Sequence, residues 1–99
     1  MKQYTLDGAL LTETPEVRIG DKIYKIDNRY SQVKKLEDIN QNDIDGIFNV
    51  ALGEKAAQEI MAMNMPMPAL MQLNYIIVAA MTDDTPERVR DRFQRQLEG

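Results

Sequence analysis

The chain has 99 residues and a net charge of −4, with 43% hydrophobic and 28% charged residues, the balance of a globular protein that at this length hides roughly 60% of its unfolded surface. It contains neither cysteine nor histidine, which excludes disulfides, thiolate metal sites, zinc centres and hydrolytic triads built on an imidazole base. Its small size argues against a deep enclosed active site, and its acidic balance against non-specific binding to duplex nucleic acid, whose phosphates would repel it.

Met1-Lys2-Gln3-Tyr4-Thr5 has neither the apolar segment nor the small-residue cleavage site of a signal peptide, so a cytoplasmic location is expected. Residues 1–14 are weakly patterned. Tyr4 and Leu6 alternate as in a short strand, Asp7-Gly8 is a turn signal, and Thr12-Glu13-Thr14-Pro15 reads as loop, which leaves a choice between a short strand and a loose arm. From Glu16 to Ile26 the pattern predicts a β-hairpin, because Gly20-Asp21 suits a two-residue turn and β-branched runs flank it. That register sets Val17 opposite Tyr24 and Glu16 opposite Lys25, with Val17, Ile19, Tyr24 and Ile26 sharing the core face. A lone hairpin is marginal in water, so this face must cover helices.

Tyr30, Val33, Leu36 and Ile39 then recur every three residues, with Lys34, Lys35, Glu37 and Asp38 on the other side. This predicts an amphipathic helix started by Asn28 or Ser31 as cap. After Asn40-Gln41-Asn42, residues Ile44, Ile47, Phe48, Ala51 and Leu52 trace a second helix closed by Gly53. Gly46 inside it costs about 1 kcal/mol against Ala, which points either to close packing or to a late start of the helix. Asp43-Ile44-Asp45, with Asp38 nearby, lacks the Asp/Asn alternation, central Gly and distal Glu of a calcium loop. It reads as solvation of a helix N-terminus rather than as a metal site.

Glu54 to Met63 predicts a third helix with Ala56, Ala57, Ile60, Met61 and Met63 as its apolar members, ended by Asn64. Met65-Pro66 and Met67-Pro68 follow as a stiff elbow, since proline donates no backbone hydrogen bond and pushes the preceding residue towards extended geometry. Met61, Met63, Met65, Met67 and Met71 all fall in this neighbourhood. Methionine is unbranched and polarizable, so a partly exposed surface built from it repacks around partners of different shape. Met63, Met65 and Met67 are therefore candidate partner-binding residues, while Met61 and Met71 are placed to turn inward; gap-filling of a core is the alternative for the whole cluster.

The apolar run from Ala69 to Met81, interrupted by Gln72 and Asn74, falls short of the roughly 18 to 20 residues a membrane span needs. It reads as a buried fourth helix begun by Pro68. Leu70, Leu73, Ile77 and Met81 lie on one face and Met71, Tyr75 and Val78 on another, so the helix is either central or shares its second face with another chain. Asp83-Asp84 precedes a last helix, marked by Thr85 as cap, Pro86 at the first position and Glu87 near the positive end of the dipole. Val89, Phe93 and Leu97 form its buried stripe. Arg88, Arg92 and Arg95 form a neighbouring one, which either holds an acidic partner or phosphates, or is a solvated face with Asp91–Arg95 and Glu87–Arg90 pairs. With no repeat and no linker, the expectation is a single domain over 1–99 of the α+β class, an N-terminal β-hairpin packed on a bundle of four to five helices. No catalytic, cofactor-binding or metal-binding residue is expected, and no enzyme.

From Ile47 to Phe93 the chain reads Ile-Phe-Asn-Val-Ala-Leu-Gly-Glu-Lys-Ala-Ala-Gln-Glu-Ile, an Asn-Met-Pro-Met-Pro elbow, Leu-Met-Gln-Leu-Asn-Tyr-Ile-Ile-Val-Ala-Ala-Met-Thr, and Pro-Glu-Arg-Val-Arg-Asp-Arg-Phe. This resembles the small tail assembly chaperones and related tail-gene products of long-tailed bacteriophages that infect Gram-positive bacteria. The resemblance covers about half the chain and supplies no site residues. It implies a protein that holds the long tape-measure protein in the host cytoplasm before tail-tube subunits assemble around it. A long helical partner with exposed apolar surface suits helix-in-groove contact, and many weak copies along it would add up by avidity. The expected partner is thus the tape-measure protein or another tail protein. Self-association is left open, and no membrane contact is expected. A structural virion or adaptor protein that stays in its assembly is the alternative, and a nucleic-acid-binding regulator using the arginine stripe a weaker one.

Overall fold

The computed structural model describes residues 3–98, with the backbone alone for Thr12 and residues 96–98. Residues 3–7 are irregular until the Asp7 carboxylate accepts the Ala9 N–H at 3.0 Å and starts a single helical turn, α1 (Gly8–Thr12). The local side-chain cap thus makes a short helix where the alternation of Tyr4 and Leu6 offers a strand or a loose arm. The chain then runs β1 (Glu16–Ile19), β2 (Lys22–Lys25), α2 (Tyr30–Glu37), α3 (Ile44–Leu52), α4 (Glu54–Ala62), α5 (Met67–Thr82) and α6 (Pro86–Glu98). This is an α+β fold with an N-terminal hairpin packed on helices. The five helices expected from periodicity are α2 to α6, and α1 is additional.

β1 and β2 pair antiparallel with Val17 opposite Tyr24 and Glu16 opposite Lys25, the register set by the turn. Gly20 takes φ +64°, a conformation that glycine adopts without steric cost at the first position of a hairpin turn. Val17, Tyr24 and Ile26 are buried and Ile19 half-buried on the inner face. The hairpin exit is fastened by Ile26 N–H to the Pro15 carbonyl and Asp27 N–H to the Ala51 carbonyl, both at 2.8 Å. The Tyr24 hydroxyl donates to Glu59 of α4 at 3.3 Å.

The main core lies between the hairpin, α3, α4 and α5. Ile26, Phe48, Ile60 and Ile77 are its largest fully buried side chains. Asp43 caps α3, its carboxylate accepting the Gly46 N–H at 3.0 Å. A Cβ on Gly46 would lie 2.5 Å from the Asp43 Oδ2, so the glycine answers to close packing of the helix's own cap. Gly53, at φ +90°, closes α3 and opens α4.

α2 departs from expectation at its start. Its N-cap is Arg29, and neither Asn28 nor Ser31 caps it with a side chain; Asp27 instead accepts the Arg29 N–H at 3.2 Å. Tyr30, expected on the apolar face, is exposed at the first position of α2, with Lys34 Nζ 6.0 Å from its ring centre. Val33, Leu36 and Ile39 are only half-buried. Within the chain α5 is central: Leu73, Ile77 and Met81 enter the main core, while Tyr75 and Ala79 form a second cluster with Val89 of α6. Thr85 caps α6 through the Arg88 N–H at 3.2 Å, as its sequence predicts. Phe93 is half-buried and meets Tyr75 with ring centres 5.8 Å apart at 59°, a tilted arrangement that favours ring edge against ring face. The Leu97 side chain, assigned to the same stripe, lies outside the described residues.

Candidate functional site

Three surfaces carry the residues singled out by sequence. The first is the elbow between α4 and α5. Asn64 ends α4 in a left-handed turn, φ +52°, and Pro66 is extended before α5, with the Leu70 N–H on its carbonyl at 3.1 Å. Pro68 falls in the first turn of α5, where no intrahelical donor is needed. The methionines of this region separate. Met63 and Met67 are exposed, at 38% and 59%. Met65 is half-buried against the main core together with Met61, and Met71 packs on the Tyr75 cluster. Of the three elbow candidates, then, Met67 is the most exposed, Met63 is exposed over little more than a third of its surface, and Met65 is partly a packing residue.

The second surface is the arginine stripe of α6. Arg92 reaches Asp84 at 2.9 Å and Arg88 reaches the other oxygen of the same carboxylate at 3.8 Å. Asp84, largely shielded, also accepts the Thr85 N–H at 2.8 Å. One carboxylate therefore gathers two of the three candidate arginines and partly neutralises the stripe. Asp91 pairs with its neighbour Arg90 at 3.3 Å, and the expected pairs Asp91–Arg95 and Glu87–Arg90 are absent among the described residues. The reason is geometric proximity: the adjacent guanidinium reaches Asp91 first. Arg95 is exposed.

The third surface was not legible as a site in the sequence. A groove of about 310 Å³ opens between the end of α2, α3, α5 and α6. Its walls are apolar, from Leu36, Ile39, Ile47, Val78 and Phe93, with Arg92 and Thr82 at its border. Asn74 lines it, is only 3% exposed, and its Oδ1 has no hydrogen-bond partner among the described residues. A buried acceptor left unpaired costs about 1–3 kcal/mol. The sequence signals for it are the second apolar face of α5, of which Tyr75 and Val78 line the groove, and the polar interruption of the apolar run at Asn74.

Electrostatics elsewhere are structural. The Arg29 guanidinium donates to both Asp27 oxygens at 2.9 and 2.7 Å. These bonds hold the Asp27 carboxyl below its ordinary pKa against the opposing effect of burial, and raise that of Arg29. Among the described residues no three acidic side chains converge as metal ligands would, and no helix is long and apolar enough to cross a membrane. Comparison with family models, with curated proteins and with solved structures returns no match to this chain.

Proposed function

We propose that this chain is a non-catalytic tail assembly chaperone of a long-tailed bacteriophage, acting in the host cytoplasm by binding and shielding an apolar helical partner such as the tape-measure protein. The observation that carries this reading is the proline-stiffened elbow with Met63 and Met67 outside the core. A stiff backbone lowers the backbone part of the ordering cost, and the flexible thioethers adapt to successive, dissimilar stretches of one long helix. Met65 supports the elbow from below. The arginine stripe contributes through Arg95, with Arg88 and Arg92 held by Asp84 and available to an acidic flank of the partner.

Met63→Ser with Met67→Ser tests the reading. Both side chains are exposed, so stability in urea should fall by well under the roughly 2–5 kcal/mol of a buried methionine truncation, while co-purification with a co-expressed tape-measure segment should be lost. Retention of binding at equal folded concentration would remove the elbow from the interface. Recovery of the protein in stoichiometric amount from mature particles would favour a structural component instead.

A further inference from the structure

We infer that α6 is a hinged cover: it swings off α5 as a unit about the joint between Asp84 and Thr85, and uncovers an apolar stripe that continues from the exposed Met67. Among the described residues α6 packs on α5 and meets every other element at most marginally. On the side of α2 and α3 it faces the open groove. Its described hold on α5 consists of Val89, buried with Tyr75 and Ala79, and of half-buried Phe93. Local opening begins where a protein has the fewest apolar contacts, and a helix held along one line by one neighbour is that place here. The stripe beneath it prolongs the elbow. Met67, Met71, Tyr75 and Ala79 recur every four residues along α5, on one side of the helix. Exposure falls along them, from Met67 through half-buried Met71 to Tyr75 and Ala79, buried under α6. The use of this stripe by an apolar helical partner rests on the proposed function; the opening is a property of the free chain.

The joint is located by what each side of it is tied to. On the α5 side the Asp83 and Asp84 N–H groups both donate to the Ala79 carbonyl, the latter at 2.9 Å, with Asp83 left-handed at φ +55°. On the α6 side Thr85 belongs to the helix it caps, its hydroxyl accepting the Arg88 N–H and its carbonyl the Val89 N–H. One carboxylate spans the two: Asp84 accepts from the Thr85 N–H at 2.8 Å and pairs with Arg92 at 2.9 Å and Arg88 at 3.8 Å. Swinging α6 outward lengthens both arginine pairs. The Arg92 and Arg88 side chains are 53% and 79% exposed, so water and salt ions readily take the place of the carboxylate. Opening also brings water to the Asn74 Oδ1, which is shut off beside α6 in the closed form and unpaired among the described residues. Its hydration offsets part of the apolar burial that is lost.

The absence of cysteine lets one introduced thiol report the opening. Ala79→Cys, at a position 2% exposed beneath α6, is compared with Ala57→Cys, at a position 3% exposed in the main core, by the rate at which an excess of an aromatic disulfide reagent modifies each folded chain. The Ala79→Cys thiol should react about tenfold faster or more, with a shallower dependence on urea, because a local opening exposes less surface than global unfolding. Adding Asp84→Asn, which keeps an acceptor for the Thr85 N–H and removes the charge, should raise that rate about two- to fivefold and leave the Ala57→Cys rate unchanged. Added salt should raise the Ala79→Cys rate only while Asp84 is present. Circular dichroism in urea establishes that each chain is folded, and Val89→Cys, on the α6 side of the same contact, repeats the measurement should Ala79→Cys not fold. Equal rates at the two positions, an equally steep urea dependence, or no effect of Asp84→Asn would overturn the proposal. No partner enters these measurements, so their failure leaves the elbow reading standing, and retention of binding in Met63→Ser with Met67→Ser leaves the hinged cover standing.

Discussion

On one face of α5, Leu73, Ile77 and Met81 are buried against the hairpin, α3 and α4, whereas on the other Tyr75 and Ala79 meet α6 and leave Asn74 beside an open groove. The first face is closed because four elements supply large aliphatic or aromatic side chains to it, among them Ile26, Phe48 and Ile60. The second is covered by one helix whose described apolar positions, Val89 and Phe93, are spaced four apart. A stripe that narrow seals a line, not a surface. α2, which could close the rest, contributes no fully buried residue. Stability is thus concentrated on one side of the central helix, and unsatisfied surface on the other.

The largest test of this contrast is a pair of truncations. Ile77→Ala, at a fully buried position on the closed face, should cost about 2–5 kcal/mol. Phe93→Ala, on the open face and only half-buried, should cost less than the roughly 3–5 kcal/mol of a core phenylalanine. Urea melts of the two variants decide it. Equal losses would mean that α6 closes its face as well as the hairpin closes the other.

Legibility in the sequence follows the same division. The hairpin, with its register and inward face, could be read from Gly20-Asp21 and the alternation of Val17, Ile19, Tyr24 and Ile26, because turn geometry and period fix a strand pair locally. The Thr85 cap was likewise legible, and Asp43 as a carboxylate solvating a helix N-terminus, each acting within three residues of itself. What failed was either marginal or non-local. α1 is one turn set by a single carboxylate, too short for any period to reveal. The start of α2 was won by the Asp27–Arg29 pair over Asn28 and Ser31. The methionine elbow was legible as a kink but not in its sorting, since whether Met65 or Met67 faces the core depends on how α4 and α5 cross. The groove requires four elements to be placed before it exists, and the pairing of Arg88 and Arg92 on Asp84 competes with several equally spaced partners.

A smaller effect, of opposite sign to the truncations, is expected at Asn74. Leucine has nearly the same shape and no polar atoms, so Asn74→Leu removes an unpaired buried acceptor from the open face. The gain should be about 1 kcal/mol in a urea melt, at the low end of the penalty for an unsatisfied group. It should come with tighter closure of α6 over α5, read as slower amide exchange at Val89. A loss of stability instead would mean that Asn74 is satisfied in the folded protein and that the open face is less strained than its geometry implies.

The smallest effect belongs to the closed side, where Asp27 ties the hairpin exit to Ala51 through its backbone and to Arg29 through its side chain. Because the carboxyl is held below its usual pKa of 3.8, its ion pair stabilises the folded state above that pH. The contribution declines as pH falls through the lower folded value. Arg29 is shifted upward, so its own contribution is complete throughout this acidic range and adds no slope there. Asp27→Asn should therefore be less stable than the unsubstituted chain at neutral pH, by less than the gain expected at Asn74, since solvent screens a pair this open. The difference should vanish in strong acid, since the substituted chain has no carboxyl to protonate at this position. Thermal melts at neutral pH and in strong acid measure it. Parallel curves with a constant gap would show that the amide introduced by Asp27→Asn fails for a steric reason, and that the hairpin exit is held by its backbone bond to α3 rather than by charge.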